Sequence, residues 1–468
     1  MTQREIQVLY FTKVLSTFEK LGLHEQVIAL ATHAVGKAAS NDPNLPILCS
    51  SLFRQTLQLE RYDEAYQAIL LNPNREHRKD CLRTMVVAMC ERGEYKRLIE
   101  HSYDSMLDDL VSILDHRARS SDIFNKFYDI LFSFHVYRGN YRRAALAMYE
   151  KSCRLQHVPP NPTTLHLKQM CLITTISSLR LVDCDNQWLL LPMPANQSQI
   201  SQSPKHNTLK EPLSPHKVQP KPCIVELKQL QNELLLLEAR IKLMSDVNEL
   251  KVGVGASANE TVTLLVHNSF FNDAFVICEK FQLKKQIVFE ALCTRCIHAS
   301  YLNDDAQVRT WLRKNSRSGV QLRDEMWWFM KDSLEVHGDV SIHKSLYYRA
   351  VLETMLSYSF PLPAWFLNYY KQLNCAELLR MLMCYDWLEL STRISIEFLE
   401  ALQGVRPDQF ALKSSLVNHG KQVWHPRNEI LQLLELLEDM ASHGNYSELL
   451  ESLESTYEEY LNKIKDLV

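Results

Sequence analysis

The sequence predicts an all-α chain: an irregular α-solenoid of stacked helical hairpins, interrupted by one disordered Pro/Ser-rich loop. Three observations carry this expectation. A turn phrase recurs, as ERYDEAYQAILL at 60–71, ERGEYKRLIE at 91–100, YRGNYRRAALAMYE at 137–150, NSFFNDAFVICEKF at 268–281 and SHGNYSELLESL at 442–453. Glycine is scarce, 11 among 468 residues, which leaves little for tight β-turns or Gly-rich phosphate loops. Good helix formers dominate, with apolar residues at three-and-four spacing.

Taken in order, Thr2-Gln-Arg-Glu5 fits a capping box, and Ile6, Leu9, Tyr10, Val14 and Leu15 follow it at helical spacing. Gly22 stops that helix, a second covers 24–39, and Asn41-Asp-Pro43 ends it. Further helices are expected at 45–58, 61–71, 75–91, 94–101, 105–118, 122–137, 140–156 and 162–183. The turns near 22, 61, 93 and 139 fall at the spacing of helical-hairpin repeats. In the phrase, a small residue permits close helix approach and an aromatic fills the gap between neighbours. Trp188-Leu-Leu-Leu191 is the only strand-like stretch.

Residues 192–222 hold seven Pro among Ser, Gln, Asn and Lys and have almost nothing to bury, so they read as a disordered loop. Ser203-Pro204 and Ser214-Pro215 in it fit proline-directed phosphosites. Helices resume at 223–250, VGVGASANE at 252–260 reads as flexible, and later helices are broken by Pro361, Pro363, Pro407 and Pro426. The expected organisation is a solenoid half over 1–191, the loop, and a second half over 223–468 that ends in an acidic hairpin.

Lys and Arg number 52 against 55 Asp and Glu, a net charge of −3, which argues against a general nucleic-acid binder. Twelve scattered cysteines fit a reducing compartment rather than a disulfide framework. The charged start MTQREIQVLYF lacks the core of a signal peptide, and no apolar run has the length of a membrane span.

Motifs for chemistry are weak. Cys293-Thr-Arg-Cys296-Ile-His298 offers half a zinc site with no second pair, on a stretch that also reads as an amphipathic helix. His24-Glu25 opens like a zincin motif, but Ile28 replaces the second His. Gly253-Val-Gly255 lacks the rest of a nucleotide loop, and no nucleophile elbow occurs. The expectation is therefore a non-enzyme with no cofactor or metal.

Interaction features are stronger. Aromatics cluster at Trp327-Trp328-Phe329, Tyr347-Tyr348, Trp365-Phe366 and Tyr369-Tyr370, and neighbours on a helix cannot all face one core line. Leu227, Leu230, Leu234, Leu237, Ile241 and Met244 form one narrow apolar seam. Tyr446, Leu450, Leu453, Tyr457, Tyr460 and Ile464 belong to a second, on a helix whose other faces carry Glu448, Glu451, Glu454, Glu458 and Glu459. Those six seam residues are the expected partner contacts. They also suit packing against Leu431, Leu434 and Leu437 within the chain.

Long stretches carry a resemblance: ERYDEAYQAILLNPNREHRKDCLRTMVVAMCERGEYKRLIE, then QWLLLP, then SLESTYEEYLNKIKDLV. They resemble the C-terminal region of the 160-kDa nucleoporin family, scaffold subunits of the Y-shaped outer-ring complex of the nuclear pore. The resemblance implies an α-helical solenoid whose last helices join the hub of the Y. It implies docking to the 85-kDa and 96-kDa nucleoporins with their small propeller companions. It also implies a place at the nuclear envelope, a role in nucleocytoplasmic transport and mRNA export, and visits to kinetochores in mitosis. Family members carry an N-terminal β-propeller; this chain begins directly with helices and reads as the last third or a short form. Periodicity alone equally suits a solenoid of a cytoplasmic vesicle coat or regulatory complex.

Overall fold

A computed structural model describes residues 3–39, 42–103, 105–191, 223–246, 257–301, 305–317, 321–338, 344–412, 425–441 and 446–465. Its contacts divide the chain into two units, Met1–Ile241 and Lys242–Val468. Ser203 and Ser214 lie outside the described residues, as do Thr2 and Gly253-Val-Gly255.

The first unit opens with α1 (Gln3–Lys20), α2 (His24–Lys37), α3 (Leu45–Gln58), α4 (Tyr62–Leu71) and α5 (Arg75–Glu91). It continues with α6 (Tyr95–Glu100), α7 (Leu107–Ser120), α8 (Phe127–Tyr137), α9 (Tyr141–Leu155) and α10 (Pro162–Leu179). The strands β1 (Trp188–Leu191) and β2 (Cys223–Glu226) follow, then α11 (Leu227–Asp246), within whose residues the boundary of the units falls. The second unit holds α12 (Ala258–His267), α13 (Phe271–Lys280), α14 (Gln286–Tyr301), α15 (Asp305–Lys314) and α16 (Leu322–His337). After these come α17 (Lys344–Ser357), α18 (Ala364–Cys384), α19 (Leu388–Leu402), α20 (Arg427–Ala441) and α21 (Ser447–Lys465). In each unit the main helix contacts join elements one to three places apart in chain order, which is the all-α solenoid pattern.

The recurring phrase is a helix stop. Gly22, Gly93 and Gly139 have φ of +70°, +77° and +72°, the left-handed conformation that glycine adopts without cost. Around Gly139, the Asn140 amide donates to the His135 carbonyl (2.8 Å) and the Gly139 amide to that of Val136 (3.0 Å). This is the double closure of a Schellman motif. The same bonds recur at Gly22 and Gly93, and at Glu60, Ser269, Gln282, Ser316, Ser359 and Asp386, which hold positive φ without being glycine. After Glu60, Gly93, Gly139 and Ser269 the next helix starts at once with its aromatic. Tyr62 and Phe271 are buried beside Ala65 and Ala274, which are fully covered, while Tyr95 and Tyr141 are only half-buried.

A second device repeats with the turns. Arg92, the residue after α5, donates to the Leu57 carbonyl near the end of α3 (2.9 Å). Arg138, after α8, donates to the carbonyls of Ile99 (2.9 Å) and His101 (3.0 Å) at the end of α6. Arg154, in the last turn of α9, donates to Ala118 (2.7 Å) and Ser121 (3.0 Å) at the end of α7. In the second unit Arg295 of α14 reaches His267, the last residue of α12 (3.2 Å). Each cation sits on the negative end of the helix two places back, where the helix dipole and the unpaired carbonyls both favour it.

Two expectations need correction, and one further helix is broken where the sequence reading placed no break. Residues 223–226 are not helical: they pair antiparallel with β1, Leu191 opposite Cys223 and Trp188 opposite Glu226. The inward pair Leu189 and Val225 is buried, and Arg142 covers Trp188 at 3.5 Å while donating to its carbonyl. Ser257 is not in a flexible stretch. It caps α12, accepting from the Glu260 amide (3.3 Å) while Glu260 accepts from the Ser257 amide (2.7 Å), a complete capping box. Within α18, Asn374 leaves helical geometry (φ −162°, ψ 87°) and accepts from the Glu377 amide, so two helices meet there in one element.

Candidate docking surfaces

The seam Leu227–Met244 lies along α11 and turns inward: Leu230 and Leu237 are buried, and Leu227, Leu234 and Ile241 pack against the core that α9, α10 and the strands share. The terminal seam divides more finely. Leu453, Tyr457 and Tyr460 are buried; Tyr446, Leu450 and Ile464 are half-buried at its margins. α21 packs on both α19 and α20. The facing residues of α20 are Ile430, Leu433 and Leu437, whereas Leu431 is exposed and Leu434 half-buried. The sequence reading named Leu437 of that row but placed Leu431 and Leu434 beside it in place of Ile430 and Leu433.

Polar groups fix the register of this hairpin. The Tyr460 hydroxyl lies 3.3 Å from His425 Nδ1, with the rings 5.2 Å apart, and burial pushes the phenol up to about 12. Lys463 donates to Gln403 at the end of α19, and Arg380 pairs with Glu429 at 3.4 Å. The outer face of α21 carries Glu448, Glu451, Glu454, Glu458 and Glu459, all exposed. Residues 427–465 hold nine carboxylates against three Lys and Arg, a net −6, while the whole chain carries −3. The opposite sign elsewhere makes this charge a local feature.

Tyr446 has a further position. It lines a groove of about 540 Å³ with Pro361, Leu362, Tyr385, Trp387 and Arg393. Two helix stops, at Ser359 and Asp386, present the ends of α17 and α18 to it. Among the aromatic clusters, Tyr347, Tyr348, Phe366 and Tyr370 are core. Trp327 stacks on Phe360 at 5.2 Å, and Trp328 stands out at 56% exposure with Lys331 over its ring at 5.0 Å.

The half zinc motif is split by its helix. Cys293 and Cys296 are buried, their thiols donate toward the Val351 and Met326 carbonyls, and burial raises the first to about 12 and holds the second well above the ordinary thiol range. His298 lies on the exposed side against Tyr358. No cluster of three metal-ligating side chains occurs among the described residues. No described helix is long and apolar enough to cross a membrane.

Stacked hairpins with exposed aromatic and acidic faces define a class: a helical-repeat scaffold of the TPR kind. Two family models cover nearly all of it, NUP160/120 middle TPR over residues 1–181 and Nup160 C-terminal TPR over residues 226–468. The chain belongs to the Nup160 nucleoporin family. It is 32% identical to the human nuclear pore complex protein Nup160 over 467 residues, 97% of this chain and 32% of that protein. The Drosophila melanogaster Nup160 homolog is 27% identical across 98% of the chain, and Arabidopsis thaliana NUP160 is 24% identical across 89%. The chain thus spans about a third of the length of these relatives.

Proposed function

We propose that the chain is a non-enzymatic structural subunit of the nuclear pore complex, in its Y-shaped outer ring. Its work is to hold other nucleoporins at fixed positions, and so to support nucleocytoplasmic transport and mRNA export at the nuclear envelope. The kinetochore visits implied by the resemblance have no support in these residues. Among partners, the 85-kDa and 96-kDa nucleoporins are the first to test.

The observation that carries the docking part is the division of the terminal hairpin. Its inner seam is spent on α19 and α20, so Leu453, Tyr457 and Tyr460 organise the hairpin. Its margin at Tyr446, Leu450 and Ile464, with the groove beside Tyr385 and Trp387, is the surface left for a partner. Aromatic anchors in a groove with a charged surround are the usual composition of an interface centre and rim. The acidic face raises the encounter rate with a basic partner.

The test is co-purification of the chain with the 85-kDa and 96-kDa nucleoporins, read by size-exclusion chromatography with light scattering. A stoichiometric complex that Tyr385→Ala with Tyr446→Ala weakens tenfold or more, in a folded chain, supports the assignment. A folded chain that stays alone sinks it. A complex that ignores both substitutions moves the contact away from this groove. A tagged chain that marks the cytoplasm and not the nuclear rim would favour a vesicle-coat or regulatory-complex role.

A further inference from the structure

The chemistry of the groove beside Tyr446 narrows what it can hold; this inference rests on the reading of that groove as a docking surface. Two of its walls are loops fixed by helix stops. The Phe360 amide donates to the Met355 carbonyl and the Trp387 amide to that of Leu382, both at 2.9 Å. Between α17 and α18 the chain runs Phe360-Pro-Leu-Pro363 without helix, and Pro363 holds φ −62° and ψ 140°. Aromatic rings line the groove. Tyr385 is 38% exposed, and Trp387 and Tyr446 are half-buried, so all three reach solvent. Beyond Phe360 the aromatic surface continues through Trp327, stacked on it at 5.2 Å, to Tyr301, edge-on at 5.8 Å and 63% exposed.

Water satisfies the charged rim of such a groove but gains nothing from its rings, so the apolar faces supply the drive for binding. The polar groups then select the occupant. The indole N–H of Trp387 is a donor only. It and the hydroxyls of Tyr385 and Tyr446 make no hydrogen bond among the described residues. Donors set among rings suit a backbone rich in free carbonyls and poor in N–H. A helix has already spent its carbonyls, and a strand brings an N–H with each one. A proline-rich segment in the polyproline conformation keeps its carbonyls free, lacks N–H at each proline and is ordered before it binds. At the rim Asp386 and Glu389 outnumber Arg393, and Tyr446 leads into the acidic α21, which favours a segment that also carries a cation.

The chain itself contains such a segment, outside the described residues. Residues 212–217 read Pro-Leu-Ser-Pro-His-Lys: two prolines three places apart, then Lys217 two places on. Around them Lys205, Lys210 and Lys221 stand against the single carboxylate of Glu211. The other proline pairs at this spacing are Pro43 with Pro46 and Pro159 with Pro162. Neither has a cation two places on, and Pro46 and Pro162 are built into the first turns of α3 and α10.

We propose that the groove binds residues 212–217 of this chain, with the prolines against the rings of Tyr385, Trp387 and Tyr446 and Lys217 toward Asp386 and Glu389. Ser214 lies inside the motif. A phosphate there adds up to about two negative charges beside those carboxylates and releases the segment.

The experiment titrates a fluorescein-labelled peptide of residues 208–221 with the full chain carrying Pro212→Ala and Pro215→Ala, read by anisotropy. The expected result is binding that weakens at least tenfold in three ways: when Tyr385→Ala is added to a chain of unchanged helicity, when both prolines of the peptide become Ala, and when the peptide is phosphorylated at Ser214. The chain with its own segment intact should bind the peptide at least twofold more weakly, because that segment competes. No binding overturns the proposal, as does binding that ignores the peptide's prolines, and neither outcome depends on how a variant folds. Binding that ignores Tyr385→Ala overturns the site, and equal binding of the phosphopeptide overturns the role of Ser214. Equal binding by the intact and the proline-substituted chains overturns residues 212–217 as the occupant and leaves the groove to a proline-rich segment of a partner. No nucleoporin takes part, so failure here is distinct from failure of the co-purification test.

Discussion

Replacing Arg138 by Ala isolates the arginine staple from the turn beside it. The guanidinium donates to two carbonyls at the end of α6 and lies 3.8 Å over the Phe134 ring. Hydrogen bonds to charged groups are worth about 1.5–3 kcal/mol each, and a partly desolvated cation–π contact about 1 kcal/mol. Water reaches the half-buried carbonyls once the side chain is gone and returns part of this. The expected net loss is about 3 kcal/mol, local to α6 and α8. Multi-unit unfolding is not two-state, so the assay is amide exchange resolved by segment. A loss of that size speeds exchange about 100-fold, at 1.4 kcal/mol per factor of ten, with α1–α3 little changed. Arg138→Lys should restore one bond and part of the protection, because a single ammonium cannot fork to two carbonyls. Exchange within threefold of the parent in Arg138→Ala would show that the staple adds nothing, and that the turn alone sets the hairpin.

Three further outcomes follow from the same geometry. Gln282→Gly relieves a left-handed backbone at φ +54° and should stabilise α13 and α14 by about 0.5–1 kcal/mol, while Gly139→Ala should cost about 1 kcal/mol, both read by segmental exchange. His135 is depressed to about 4, so its unfolded form binds the proton first. Stability is therefore whole above pH ~6.5 and falls as pH drops toward 4, by up to about 3 kcal/mol. Exchange measured from pH 7 to 4.5 should show that loss in the parent and a smaller one in His135→Phe. With a maleimide under native conditions, the exposed Cys184, Cys223 and Cys384 should label first, and Cys293 and Cys296 only on unfolding; early labelling of the last two would contradict their burial.

Helix positions were legible where a boundary carries a local signal. Asn74 caps α5 and Asn161 caps α10 by bonds within three residues, and the Gly turns repeat in plain view. What sequence could not show was non-local. Cys223-Ile-Val-Glu226 is a strand only because β1 offers a partner more than thirty residues earlier. The arginine staples leave a faint trace, an Arg about 35 residues after the carbonyl it caps, which no single window contains. The non-glycine stops were hidden as well, since Ser269 and Gln282 look ordinary until the Schellman bonds are drawn. At the terminal hairpin the seam was read correctly as apolar, but no periodicity tells an inner seam from an interface.

That ambiguity has a physical resolution in how such stacks hold together. If helices touched only their sequence neighbours, stability would be a sum of pairwise terms and any hairpin could fray alone. The staples change this. Arg92 ties α5 to α3, Arg138 ties α8 to α6, and Arg154 ties α9 to α7, each skipping a helix. Opening one hairpin then leaves a guanidinium or a helix end in the next without its partner, which favours neighbouring hairpins opening together. α21 meets the same demand differently, by packing on α19 as well as α20 and by the Lys463 bond to Gln403. The proposed scaffold role calls for this rigidity between repeats more than for depth of core. The inner seam and the staples supply the stiffness, and the polar, acidic and aromatic outer faces stay free for contact.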